Sequence, residues 1–284
     1  MAYEFRVGGV TGKGLKRIAR QQLRQLQTQL HDRADAASGH HEARKCLKRL
    51  RALLLLARPA IGKAACGKFD RAHAAIARTL AEARDTTVIL KLLGGLRQSH
   101  GDGALGAAGR RLYVALGNGG QCQETAAQLS AIEAAADKLA KTWANLPLKS
   151  FDAGSAFAGL EADYRAGRRQ LRRATATGTS EDLHEMRKHI QRHWRHMQLF
   201  ESAWPREFGV RIEMARALSE TLGLDHDHWL LRQRLGKDAA RLDRLCGEEQ
   251  EKLRQAALPA LKLFYSECPG PLRRRLQGYW ASGG

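Results

Sequence analysis

Residues 41–59 read HEARKCLKRLRALLLLARP, and residues 184–205 read HEMRKHIQRHWRHMQLFESAWP. The second stretch repeats the first at an offset of 143 residues: His41, Glu42, Arg44, Lys45 and Arg49 stand against His184, Glu185, Arg187, Lys188 and Arg192. The segments before them repeat as well. Arg17, Arg20 and Arg24 are spaced i, i+3, i+7, and Arg165, Arg168 and Arg172 keep that spacing. Downstream, LAEARDTTVIL at 80–90 parallels LGLDHDHWLL at 222–231, which sets Asp85 opposite Asp227. A chain that writes the same three segments twice, in the same order, builds one structural unit twice.

The period of the apolar residues says what that unit is. Leu15, Ile18, Leu23, Leu26 and Leu30 recur at helical spacing. Further helices are expected at about 40–57, closing before Pro59, and at about 68–93. Gly94, Gly95, Gly101 and Gly103 then predict a loop, followed by helices at about 104–116 and 122–144. The resulting expectation is an all-α fold: two related antiparallel bundles of the four-helix type, residues 1–147 and 148–284, with pseudo-two-fold symmetry and a shared basic surface.

On a helical wheel residues 41–56 divide into two sides. Ala43, Cys46, Leu47, Leu50, Leu53 and Leu54 form an apolar side. His41, Arg44, Lys45, Lys48, Arg49 and Arg51 form a basic one, and His184, Arg187, Lys188, Arg192 and Arg195 gather likewise in the second copy. Like charges one turn apart cost a helix roughly 0.2–0.5 kcal/mol per pair, so a face of one sign, present twice, points to an anion that offsets the repulsion. The net charge of +19 and a pI near 10.3 place that anion among the polymers: nucleic acid, an anionic membrane or a phosphate chain. Aromatic residues make up 6% of the chain and few lie among the basic ones, so stacking platforms for single-stranded nucleic acid are not evident.

Each motif histidine has a local setting. Ser38, and Thr179 or Ser180, are candidate N-caps, which would place His41 and His184 near a first helical turn. The helix dipole and the neighbouring cations then disfavour the imidazolium in the free protein, and a bound phosphate would favour it.

These features resemble the CHAD family, the conserved-histidine α-helical domain. The resemblance rests on H-x-x-R-x-x-x-K-R-x-R at 41–51, its copy from 184, the L-x-x-x-x-D-x-x-V/L pattern at 80–88 and 222–230, and LFYSECPGPLRRRLQGYW near the end. It implies two four-helix-type bundles with a basic central surface that binds inorganic polyphosphate, some members associating with polyphosphate granules; the cysteine usage separately points to a cytoplasmic protein. The contacts it implies are Arg17, Arg20, Arg24, His41, Arg44, Lys45, Lys48, Arg49 and Arg51 in the first half. In the second they are Arg165, Arg168, Arg172, His184, Arg187, Lys188, Arg192 and Arg195. Gln191 and Trp194 depart from Lys48 and Arg51, with Arg195 offered from the adjacent position.

Other signals are set aside. VGGVTGKG at 7–14 has Val7 where a Walker A loop needs its first glycine, and Gly14 where Ser or Thr should stand. His189, His193 and His196 share the core-facing positions of Cys46, Leu50 and Leu53, which favours structural histidines over metal ligands. Asp85 and Asp227 lack a companion nucleophile and are read as anchors for the motif side chains. Five cysteines without a C-x-x-C pair are read as reduced thiols, and neither a signal peptide nor a transmembrane segment is expected. The expectation is therefore a non-enzymatic polyphosphate binder that needs no cofactor or metal and has no specific nucleic-acid or membrane partner. A nucleic-acid-binding protein and a metal-dependent polyphosphate-processing enzyme are the rival readings.

Overall fold

The computed structural model describes residues 3–6, 9–31, 36–118 and 126–283; within its helices the side chains of residues 36–38, 81–85, 102 and 126–128 fall outside the description. Among the described residues the chain is all-α, without a strand. In order, the helices are α1 (Gly12–His31), α2 (Ala36–Leu56), α3 (Arg58–Ile61), α4 (Lys63–His100), α5 (Gly106–Asn118) and α6 (Ala126–Ala144). The second half adds α7 (Ala153–Thr177), α8 (Ser180–Phe200), α9 (Pro205–Arg232), α10 (Ala240–Phe264) and α11 (Pro269–Ser282). None of these helices is long and apolar enough to cross a membrane.

Local chemistry starts and stops the elements. Asp152 and Ser155 form a reciprocal capping box at the start of α7, each side-chain oxygen accepting from the other's backbone N–H at 2.8 and 2.9 Å. Gly178 ends that helix in the left-handed conformation at φ 62°, a position glycine takes without penalty. Thr179 then caps α8 by accepting from the backbone N–H of Asp182. Pro205 and Pro269 open α9 and α11, where a missing N–H costs nothing.

The motif helices α2 and α8 lie against each other at the centre, and His196 Nε2 meets the Ala52 carbonyl oxygen at 2.9 Å. Helix α1 packs on α2, α7 on both α8 and α2, α4 on α2 and α9, and α9 on α8. One apolar core runs through both halves of the chain: Leu15, Leu47, Leu50 and Leu53 belong to the same cluster as Phe157, Ile190, Phe200 and Leu261. Phe200 stacks on Phe157 with ring centroids 4.5 Å apart and touches Phe5 at 5.5 Å. The Phe5 N–H donates to the Leu199 carbonyl, which ties the first residues into the second half.

Two expectations need correction. Helix α4 does not end at 93 but continues through Gly94 and Gly95 to His100, stopping at Gly101, where φ is 79°. The glycines cost helix stability, but Leu93 and Leu96 on the same stretch are buried in a second apolar cluster with Ile89, Leu105, Leu231, Leu242 and Cys246, and that burial carries the helix on. Ser38 is not a cap either: α2 runs from Ala36, so His41 lies more than a turn inside it.

A tight approach between the halves is at Gly159, where an added Cβ would fall 2.1 Å from the Leu56 carbonyl oxygen. Backbone cannot give way as a flexible side chain can. Gly159→Ala is therefore expected to destabilise the protein by about 1–3 kcal/mol, the usual range for overpacking. A urea-unfolding midpoint unchanged by the substitution would contradict this close crossing.

Candidate functional site

Helix geometry selects which motif side chains meet. On α2, Arg44, Leu47, Lys48 and Arg51 are spaced i, i+3, i+4, i+7 and share one face. On α8, His184, Arg187, Lys188, Gln191 and Arg195 continue the same rule, with Arg192 at the margin. The two faces line a single cleft of about 470 Å³. Helix α4 contributes Ala74, Ala77, Arg78 and Val88, and α9 contributes His226, Asp227 and Leu230. Among the described lining residues, eight Arg and Lys side chains confront one carboxylate.

The motif arginines are held in matched ways. Arg44 donates to the Ala77 carbonyl of α4 at 3.4 Å, and Arg187, its counterpart, donates to the Ser219 carbonyl of α9 at 2.9 Å. Arg51 grips Asp70 through two bonds of 2.7 and 3.0 Å. Arg192 donates to Asp163 of α7 at 2.8 Å and reaches His189 Nδ1 at 2.6 Å. Burial opposes ionisation of Asp163, but Arg192, His189 and His196 outweigh it and hold the carboxyl far below the usual carboxylate range.

Arg195 is the exception. It is 7% exposed, donates to the Gln191 carbonyl at 2.6 Å, and leaves its Nε without a hydrogen-bond partner. Its guanidinium lies over the Trp194 ring, 5.1 Å from the centroid. Burial, together with the Arg49 and Arg187 charges and against the pull of Tyr3, brings its pKa down to about 10. A buried cation in a cavity of cations is costly unless an anion completes it.

The remaining sequence candidates are not brought into the cleft. His41 is exposed, while Lys45 pairs with Glu42 at 2.6 Å, as Lys188 pairs with Glu185 at the cleft edge. Arg49 turns toward α1, reaching Gln22 at 3.3 Å and the Tyr3 ring. Arg17 is bonded to the Glu4 carbonyl, and Arg20 and Arg24 are exposed on α1. On α7, Arg165 pairs with Glu161, Arg168 is half-buried and Arg172 is exposed. Repeated spacing told that these positions correspond, but not which way α1 and α7 would turn them.

Of the expected anchors, Asp227 lines the cleft and the Asp85 side chain lies outside the described residues. Asp70 and Asp163 are the carboxylates that hold motif arginines, and sequence reading missed both, because each sits on a different helix from its partner with no pattern linking them. Arg78 was also missed and left no signal. His226 left one: it aligns with Arg84, one position before the pair Asp85 and Asp227. His193 and His196 are fully buried beneath the cleft, His193 against Tyr164 and Phe264.

The model of the CHAD domain matches residues 17–236. The chain belongs to the CHAD family. This CHAD chain also resembles the solved structure of PptA from Streptomyces chartreusis, at a TM-score of 0.61 and 18% identity, over 90% of this chain and 99% of that one. That likeness is one of fold. No curated protein matches the chain at a significant level.

Asp163 gives the site a testable acid limb. Its folded-state pKa lies below the unfolded one, so its stabilisation is complete above the ordinary carboxylate range near pH ~4 and is lost as pH falls below it. Asp163→Asn should leave Arg192 unpaired, cost about 3–5 kcal/mol, and flatten the fall in stability on acidification. Denaturant melts across the acid range check both effects; an acid limb equally steep in the variant would assign it to other groups.

Proposed function

We propose that this CHAD protein binds inorganic polyphosphate without turning it over, and that a single chain of phosphates lies in the cleft between α2 and α8. The observation that carries this reading is Arg195, a guanidinium buried among other cations with no carboxylate within salt-bridge distance among the described residues. CHAD domains bind polyphosphate, and the cleft is suited to a flexible polyanion. Its cations are lined up along two helix faces, and Arg51 and Arg192 are held by carboxylates from other helices. Arginine presents planar forks to phosphate oxygens, whereas Lys48 and Lys188 act as mobile point charges. We further propose that this binding takes place in the cytoplasm and that the same cleft would recruit the protein to polyphosphate granules.

Support for binding over turnover comes from the donor set. Among the described lining residues Asp227 is one carboxylate beside eight cations, an arrangement that favours retaining phosphate over clamping a pair of metal ions. Pure protein incubated with polyphosphate and magnesium or manganese should release no orthophosphate. Release that Asp227→Asn abolishes would establish an enzyme instead.

The two walls act as one site, because a chain held by one wall is presented to the other at high effective concentration. Arg44→Ala/Lys48→Ala on one wall and Arg187→Ala/Arg195→Ala on the other should each weaken long-chain binding by about tenfold or more, or ~1.4 kcal/mol. Helical circular dichroism should be unchanged. Polyphosphate should outcompete duplex DNA at equal phosphate concentration, with affinity falling linearly in log salt as counterions are released. Wild-type affinity at half the stoichiometry in each double variant would mean two separate sites. Tighter binding of DNA at every salt concentration would favour a nucleic-acid partner.

A further inference from the structure

The two walls of the cleft differ in the permanence of their charge. Where the first half has Lys48, Arg51 and Arg84, the second has Gln191, Trp194 and His226. In this second wall a stack of rings stands beside the fixed cations Arg187, Lys188, Arg192 and Arg195. His184 and His226 lie face to face, centroids 3.9 Å apart and planes 29° apart, and His226 is stacked in turn on Trp229 at 5.4 Å and 19°. Both histidines line the cleft, and Nδ1 of His184 is buried without a hydrogen-bond partner.

We infer that the stacked pair His184 and His226 is a proton-uptake element: a phosphate chain entering the cleft draws about one proton onto the pair, so that binding tightens as pH falls. The inference rests on the reading of the cleft as a polyphosphate site. In the free protein, burial first, then His226, Lys188, Arg187 and Lys48, hold the His184 pKa down to about 3. Polyphosphate reverses that electrostatic balance by placing negative charge beside the ring. Two imidazolium rings at this separation repel, which is why the pair gains one proton rather than two.

Several described charged groups stand near the pair. Lys188 and Arg187 share its helix, Lys48 faces it from α2, and Asp227 shares the cleft wall from α9. On the α7 side, Asp182 is engaged by Arg173 and Thr177, and on α10 Glu249 faces His228. The α4 side chains 81–85 lie outside the described set. The sign follows directly. The bound-state pKa lies above the free-state value, so the extra affinity is present at acidic pH and is lost as pH rises through the bound-state pKa, with a slope of at most about tenfold per pH unit for one proton.

The test is calorimetric titration of the full chain with long-chain polyphosphate, whose interior groups stay ionised throughout. It is run at matched pH and ionic strength in two buffers of different ionisation enthalpy, at mildly acidic and at alkaline pH. Wild-type heats should differ between buffers at mildly acidic pH in proportion to the protons taken up, and converge at alkaline pH. His184→Gln/His226→Gln should show equal heats in both buffers and lose the tightening on acidification, judged against the variant's own affinity at alkaline pH. Tight wild-type binding with equal heats at both pH values would overturn the inference and leave the polyphosphate reading intact, as would a double variant that keeps the buffer difference. No binding at any pH would overturn the polyphosphate reading, and the inference with it.

Discussion

Like charge held in place against its own repulsion is the constraint on which this structure turns. In water, flexible lysines and arginines would spread apart; here they cannot, because the apolar sides of α2 and α8 are locked in a shared core and present their basic sides to one cleft. At an effective dielectric constant of about 20, two unit charges 4 Å apart interact by roughly 4 kcal/mol. A domain's whole stability is typically about 5–15 kcal/mol, so repulsion on that scale would matter. The core therefore has to hold the cleft together until an anion arrives.

Internal carboxylates relieve part of that burden. Asp70 holds Arg51 and Asp163 holds Arg192, while Glu42 and Glu185 each pair with the lysine one turn on. Carbonyls of Ala77 and Ser219 fix Arg44 and Arg187 without cancelling their charge. Arg195, by contrast, has no carboxylate within salt-bridge distance among the described residues, and its depressed pKa records the cost of burial. Preorganised cations of this kind lose little side-chain freedom on binding, which favours affinity for any polymer able to follow the two helix faces.

The halves are related in sequence yet unequal in chemistry. Matched arginine-to-carbonyl bonds preserve the scaffold of the repeat. The positions around them have diverged: fixed cations in the first half give way to an amide, an indole and a histidine in the second. Both walls of the cleft thus carry fixed cations, and the second adds the stacked rings of His184 and His226.

The sequence by itself determined the helical character of the chain and the repetition of its basic motif, because helical periodicity and a repeat are properties of one-dimensional order; its basic candidates included Arg44, Lys48, Arg51, His184, Arg187, Lys188, Arg192 and Arg195, which line the cleft. It could not say that Lys45 and Arg49 would leave that face, since a 100° turn per residue separates neighbours only once the position of the opposing helix is known. Nor could it place the arginines of α1 and α7 away from the cleft, carry α4 through two glycines, or connect Asp70 and Asp163 to arginines on other helices. Those outcomes depend on how the helices pack. Packing joins residues far apart in the chain through burial and hydrogen bonds that leave no local pattern, and only the tertiary structure decided them.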